Sequence, residues 1–447
     1  MKRKLIIFAT ALLLVCLTFC GCVADPSQTA DKATLLSQYK DNISQEMRGS
    51  FDFFWNEAQT QTDSPAYGLI ADRWPSDTSY ASIASVGFGL TAYIIGVEEG
   101  YVSREDAEKR ASGTLSTLIA LQSDPTVSYG GFLAHFINKN TAKRHGKCEV
   151  SSIDTAILVC GAIAAGEYFG GEVKQKADTL YRNVDWTSFV MKKGKKTYFS
   201  MAYDIDSKKL SSGCWDWYAE QLMLYVLAAG SPEQSRRVGS AAYNDFTRRQ
   251  SRYNGNSFVY SYFGSIFTYQ YSHAWIDFSS WVDGKGVNWY QNSVDASLAN
   301  YEYCKDKADS SKTFAHGGWG LTACDSPKGY NGLLGATPRG WTADSDYYKY
   351  EGTVAPAGAL GSVVFTPSQS LAALEKYQSV RLINTKYGLT DAYNLDYDWY
   401  DSDCIGIDKG ISLLMLSNFK DGLVWKYTMQ NKAVTDGLTE LGFTQTK

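Results

Sequence analysis

Two hydrophobic patterns at helical spacing alternate along the chain. One is an amphipathic stripe: Met47, Phe51, Phe54, Trp55 and Ala58 recur over 44–58 and predict a helix with a single apolar face. The other is small and apolar all round, as over 80–99 and 151–168, and predicts helices covered on every side. Residues 103–122 open with Ser103, Glu105 and Asp106, a capping serine with acids in the first turn. Residues 172–183 read as an outer helix and 216–229 as an inner one. Ser231-Pro232 reads as a cap with proline at the first helical position, opening a polar helix that runs to Arg249. Segments 287–305, 367–380, 406–419 and 423–436 continue the series. Strand-like alternation is confined to short pieces such as 197–203.

About eleven or twelve helices, alternately inner and outer, predict an all-α fold closed into a double ring, an (α/α)6 barrel or toroid, with an open helical array as the alternative. No fixed-period repeat is visible. The connections are long and unusual. Residues 254–290 are crowded with aromatic side chains, and 317–322 and 329–340 are rich in glycine. Connections of this kind in a compact domain usually carry function, and in a toroid they gather at one mouth around a cleft.

The N-terminus reads as a targeting segment. Met1-Lys2-Arg3-Lys4 is basic, and Leu5 to Phe19 is an apolar run of 15 residues, short for a membrane span. It ends in Cys20-Gly21-Cys22, and the small Gly21 before Cys22 resembles a bacterial lipoprotein cleavage site. The expectation is a signal peptide over 1–22, lipid on Cys22, a flexible tether over 23–38 and one domain over 39–447. The protein is then exported and held at the cell envelope by its lipid alone, as a monomer.

The remaining six cysteines, at 148, 160, 214, 304, 324 and 404, form no metal-type spacing and read as small buried hydrophobes. The four histidines are too dispersed for a zinc motif, and no nucleotide, dinucleotide or serine-hydrolase motif occurs. No metal or organic cofactor is expected. The net charge of −4 and the absence of a basic stripe argue against nucleic acid. The aromatic share of 14%, with 31 tyrosines, suits stacking on neutral, hydroxyl-rich ligands.

Hydrolysing a glycosidic bond takes one carboxylic acid to protonate the leaving oxygen and one carboxylate to activate water or attack the sugar. The best candidate acid is Glu220, in Cys214-Trp215-Asp216-Trp217-Tyr218-Ala219-Glu220-Gln221, expected on the first turn of a helix behind a cluster of rings. Apolar rings around a carboxyl raise its pKa toward neutrality. Asp154 and Asp408 each begin a helix with little else polar on it, so each needs a partner or a purpose. Asp325, Glu351 and Asp391 are weaker candidates. Trp215, Trp217, Tyr218, Trp275, Trp289 and Trp319 are expected to face sugar, with His273, Asp277 and Glu351 at the rim.

From about Phe51 to Trp425 the chain resembles the glycoamylase-like family of bacterial exported proteins. The matching segments are 151–156, 218–224, 267–277, 288–293, 319–323, 351–356 and 406–410, in the expected order. The resemblance implies an (α/α)6 barrel and the activity of glycoside hydrolase family 144, endo-hydrolysis of β-1,2-glucan. It places the essential acid on Glu220 and supporting acids on Asp154 and Asp408. One departure stands out: similar sequences carry an arginine shortly after the aspartate of the His273–Asp277 segment, where this chain has Phe278-Ser279-Ser280. Inversion is favoured, with the two carboxyl groups about 6.5–9.5 Å apart. Two other readings fit parts of the pattern: a non-catalytic glycan-capture lipoprotein on the same fold, and a polysaccharide lyase.

Overall fold

The computed structural model describes residues 31–340 and 351–446. The signal segment and Cys22 lie outside the described residues. Sixteen α-helices occur among the described residues. They are α1 (Lys32–Gln38), α2 (Lys40–Asn56), α3 (Ile83–Glu98), α4 (Arg104–Gln122), α5 (Ser152–Phe169), α6 (Gly171–Asn183), α7 (Leu222–Gly230) and α8 (Ala241–Asp245). The second half adds α9 (Tyr271–Trp275), α10 (Trp289–Asp306), α11 (Lys312–Ala315), α12 (Pro356–Leu360), α13 (Pro367–Ser379), α14 (Gly406–Asp421), α15 (Leu423–Thr428) and α16 (Lys432–Glu440).

The all-round apolar segments form the centre. Every residue of α3 from Ile83 to Gly96 is buried, and α5 is buried except at Ile153 and Glu167. The two helices approach closely because each brings a glycine to the crossing. A Cβ on Gly161 would lie 2.0 Å from the carbonyl oxygen of Gly87, and one on Gly87 would lie 2.7 Å from that of Ile157. Helix α5 is long and apolar enough to cross a membrane, yet it packs inside the fold against α3, α6 and α7. Helix α14 packs on α2, α3 and α12, and α7 on α16. Ser82, Ser103 and Ser151 cap α3, α4 and α5 through their hydroxyl oxygens.

The fold departs from the sequence expectation in four places. The chain is helix-rich but not purely α: nine small antiparallel sheets lie among the described residues, eight of two strands and one of three. The tether ends sooner than residue 38, because Asp31 caps α1 and Leu35 is buried on the domain. The polar helix expected over 231–249 is only a 3-10 turn at Gln234–Arg236 and the short α8. A helix of this length is marginal on its own, and Ala242, Tyr243 and Phe246 are buried without a longer one. The segment 423–436 breaks at Asn431, whose side chain accepts from the N–H of Ala433 and starts a fresh helix.

The sheets matter for what they position. Val150-Ser151 pairs with Ala202-Tyr203 and leads straight into α5. Arg73-Trp74 pairs with Cys404-Ile405 and leads into α14. Bridges from Cys214 to Ser200 and from Trp217 to Thr247 hold 214–217 extended. Helix α7 therefore begins at Leu222, and Glu220 sits in the turn just before it rather than on its first helical turn.

Candidate active site

The starts of α5, α7, α9 and α14 bring Asp154, Glu220, Tyr271 and Asp408 into one electrostatic neighbourhood. The Tyr271 hydroxyl is pushed well above its ordinary range by burial and then by the charges of Asp408 and Glu220, with smaller contributions from Tyr330 and Asp154. Beside this group lies a cleft of about 570 Å³, lined by Trp215, Trp217, Tyr218, Glu220, Tyr262, Phe267 and Tyr330 among others.

The Glu220 turn is fixed by local hydrogen bonds. The Ser272 hydroxyl accepts from the N–H of Met223 at 2.9 Å and donates to the carbonyl of Glu220. The Gln221 side-chain amide donates to the Trp217 carbonyl at 2.6 Å. The Glu220 side chain is 9% exposed, at the edge of the cleft. Burial pushes its carboxyl from 4.5 up to about 7; an N–H of its own backbone pulls the other way, and the charge of Asp154 adds to the rise. A carboxyl in this state keeps its proton on about half the molecules at neutral pH and can still give it up.

Asp154 follows the Ser151 cap and lies 3.8 Å from Nε2 of His135, whose Nδ1 is 2.9 Å from Glu149 Oε1. Burial opposes a charge on this ring, but Asp154 and Glu149 outweigh it and raise His135 to about 9. Asp154 therefore faces an imidazolium.

A second chamber of about 90 Å³ shares Phe267, Ala323 and Tyr330 with the cleft and is lined by Gln270, Tyr271, Asp391 and Asp408. It is large enough to hold water. Asp391 and Asp408 line this chamber together, and each acts on the other's carboxyl as a side-chain hydrogen-bond partner would. Burial raises both. Asp408, moved to about 6, is held down by donation from Asp391 and by the charge of Lys409; Asp391 is driven well up by its burial and by Asp408.

Outside this chamber, Asp325, Asp401 and Asp403 bring carboxylate oxygens within 4.8 Å of one another, a spacing that suits a cation. Arg73 already supplies positive charge there, with Nη1 3.0 Å from Asp325 and 3.1 Å from Asp403.

Several residues expected to meet sugar do not. Trp275, Trp289 and Trp319 are at most 1% exposed, and their ring nitrogens donate to Thr91, Tyr243 and the carbonyl of Gln369. They are core residues whose one polar atom is satisfied internally. His273 is also buried, bonded to Ser293 and lowered to about 3 by burial, so it is neutral and internal. Asp277 lies outside the cleft lining and caps the N–H of Ser279 at 2.9 Å. The missing arginine after it therefore leaves the cleft lining untouched. Glu351 accepts from Thr353 at 3.1 Å and pairs with Lys328 at 3.5 Å, beside but not in the two cavities. Trp215, Trp217 and Tyr218 do line the cleft; Trp215 is anchored through its ring nitrogen on the Ser152 hydroxyl at 3.0 Å.

Sequence reading missed Tyr330, which is 68% exposed and touches both cavities. Its signal was the Gly329-Tyr330-Asn331-Gly332 turn, an aromatic lifted between two glycines. It also missed His135, whose role depends on Glu149 and Asp154 meeting it from different elements. Of the six cysteines, five are buried and none is paired among the described residues.

Residues 213–432, which include most of the cleft lining, match the Glycoamylase family model, described as "Putative glucoamylase". The chain resembles the glycoamylase-like family. A curated relative from Parabacteroides distasonis, an exo β-1,2-glucooligosaccharide sophorohydrolase (non-reducing end), is 23% identical over 94% of this chain and 60% of its own length. The chain thus spans about three-fifths of that relative. The endo-β-1,2-glucanase of Chitinophaga pinensis, solved with sophorotriose and glucose, superposes with a TM-score of 0.80 at 24% identity, over 91% of this chain and 99% of that one. A β-1,2-glucanase structure from Parabacteroides distasonis superposes at 0.77 with 22% identity, over 93% and 60% of the two chains. These superpositions show that the chain shares the fold of both structures.

Proposed function

We propose that the protein is a glycoside hydrolase that cleaves β-1,2-glucan internally, with inversion, by paired carboxylate chemistry. The observation that carries this reading is Glu220, a buried carboxyl pushed up to about 7 at the edge of a cleft walled by Trp215, Trp217 and Tyr218. Glu220 protonates the leaving oxygen. Asp408 activates water, because it borders a chamber of water-holding size that joins the cleft. Asp154, 3.8 Å from the His135 ring, lies near enough to Glu220 for its charge to raise the acid, which helps hold the acid's proton.

The β-1,2 linkage is supported by the relatives' substrates. Internal cleavage is supported by the open mouth, where Met201, Phe263 and Tyr330 are exposed around the cleft. Among the described residues Lys193 is the one basic side chain in the cleft lining, which disfavours an acidic sugar and with it the lyase reading. The helices belong to a closed (α/α)6 ring on this reading, and the basic, apolar and Gly21-Cys22 segments support export with a lipid on Cys22.

Incubation with a panel of α- and β-linked glucans, with products separated by chromatography, tests the reading. A ladder of β-1,2-oligosaccharides from β-1,2-glucan is the expected result. Disaccharide alone would overturn internal cleavage, and binding without product would overturn the hydrolase.

A further inference from the structure

The proposed reaction uses Glu220 and Asp408 but leaves one buried acid without a task. Asp391 is 2% exposed and shares the small chamber with Asp408. One of its oxygens is fixed by the backbone N–H of Asp325 at 2.7 Å. Asp408 Oδ2 is buried, and no N–H or hydroxyl among the described residues donates to it. Two carboxyl groups in hydrogen-bonding contact cannot both be anions, since one must bring the proton that joins them.

We propose that Asp391 is a positioning residue that stays protonated and donates to Asp408, so that Asp408 is held as the single anion of the pair and aimed at the chamber. The proposal rests on the reading of Asp408 given above. The assignment of the proton follows from the surroundings. Asp391 is the more deeply buried of the two, which favours its neutral form; the N–H of Asp325 on its other oxygen pulls the opposite way but does not offset the burial. Asp408 is followed by Lys409, whose ammonium favours an anion there. Besides each other, the titratable groups near the pair are Asp325, Asp401, Lys409, Cys324, Tyr330 and Tyr271. Of these Lys409 is cationic and is itself tied to Glu46 and to the carbonyl of Leu389.

Shared protonation also explains why an acid stands where an amide would otherwise serve. A carboxylic O–H donates to a carboxylate more strongly than an amide N–H does. Asp391→Asn keeps a donor toward Asp408 and an acceptor for the Asp325 N–H. Asp391→Leu removes both.

The test uses the full chain labelled with carbon-13 at aspartate side-chain carboxyls, read by infrared spectroscopy. At about pH 8.5, above the ordinary carboxyl range, the wild type is expected to keep a protonated-carboxyl stretch that Asp391→Asn lacks. The aspartate label excludes Glu220 from this signal. In the hydrolysis assay, Asp391→Asn is expected to keep kcat within about tenfold, and Asp391→Leu to lose about a hundredfold with KM within about threefold. Thermal unfolding of both variants identifies any loss that comes from misfolding. A spectrum with no such band, or an Asp391→Leu enzyme as active as wild type, overturns the proposal. If the wild type cleaves no glucan, the functional reading fails, and the infrared band still decides the shared proton.

Discussion

Replacing Glu220 by glutamine separates two consequences of its burial. The first is catalytic: loss of a positioned general acid lowers kcat by about 10²–10⁴-fold. The second is a pH-dependent change in stability whose sign is set by linkage. The folded carboxyl titrates near 7 against an ordinary value of 4.5, so its stability is complete below about pH 4.5 and is lost as pH rises through 7. At about 1.4 kcal/mol per pH unit, ionising it in place costs below about 1 kcal/mol at pH 5 and about 3 kcal/mol at pH 8. Glutamine has the same shape and never ionises, so it escapes this cost. The difference of about 2.5 kcal/mol, divided by about 0.8 kcal/mol/K for a fold of about 400 residues, is about 3 °C. The Tm of Glu220→Gln minus that of wild type is therefore expected to widen by about 3 °C between pH 5 and pH 8. Scanning calorimetry at matched ionic strength measures it, and reducing-end release from β-1,2-glucan measures the catalytic loss. Parallel Tm curves would show that the carboxyl is not buried as an acid. Wild-type release of reducing ends by Glu220→Gln would remove it from the reaction altogether.

Other substitutions probe the surroundings. Trp217 lines the cleft and sits edge-on to Tyr262 at 4.9 Å, so Trp217→Ala is expected to raise KM about three- to tenfold with little change in Tm, read from Michaelis curves and thermal melts. Trp275 is fully buried, so Trp275→Ala is expected to cost about 3–5 kcal/mol in denaturant unfolding and to leave KM of the folded fraction unchanged. Lys409 and Glu46 form a buried pair that ties α14 to α2. Lys409→Met alone is expected to cost about 3–5 kcal/mol, and adding Glu46→Leu to recover most of it in a double-mutant cycle. Wild-type kcat is expected to fall as pH rises above about 7, where Glu220 loses its proton; a profile flat to pH 9 would contradict the acid assignment.

Local sequence determined a good deal of this protein. The all-round apolar runs became the buried α3 and α5, and Ser103 with its acids became the capped start of α4, because periodicity and capping act over a few residues. Glu220 was legible for the same reason: three of the rings that line the cleft with it, Trp215, Trp217 and Tyr218, are its own chain neighbours. Asp154 and Asp408 could be picked out as acids on apolar helix starts, but not what each faces. Tertiary structure alone decided that Asp408 meets Asp391, that Asp154 meets His135, and that Arg73 joins Asp325 to Asp403. It also turned Trp275, Trp289 and Trp319 inward while Trp217 lines the cleft. The physical reason is one of range. Backbone preference is settled by neighbours in sequence, whereas desolvation and charge act through space and depend on which distant segments the packing of helices places opposite one another.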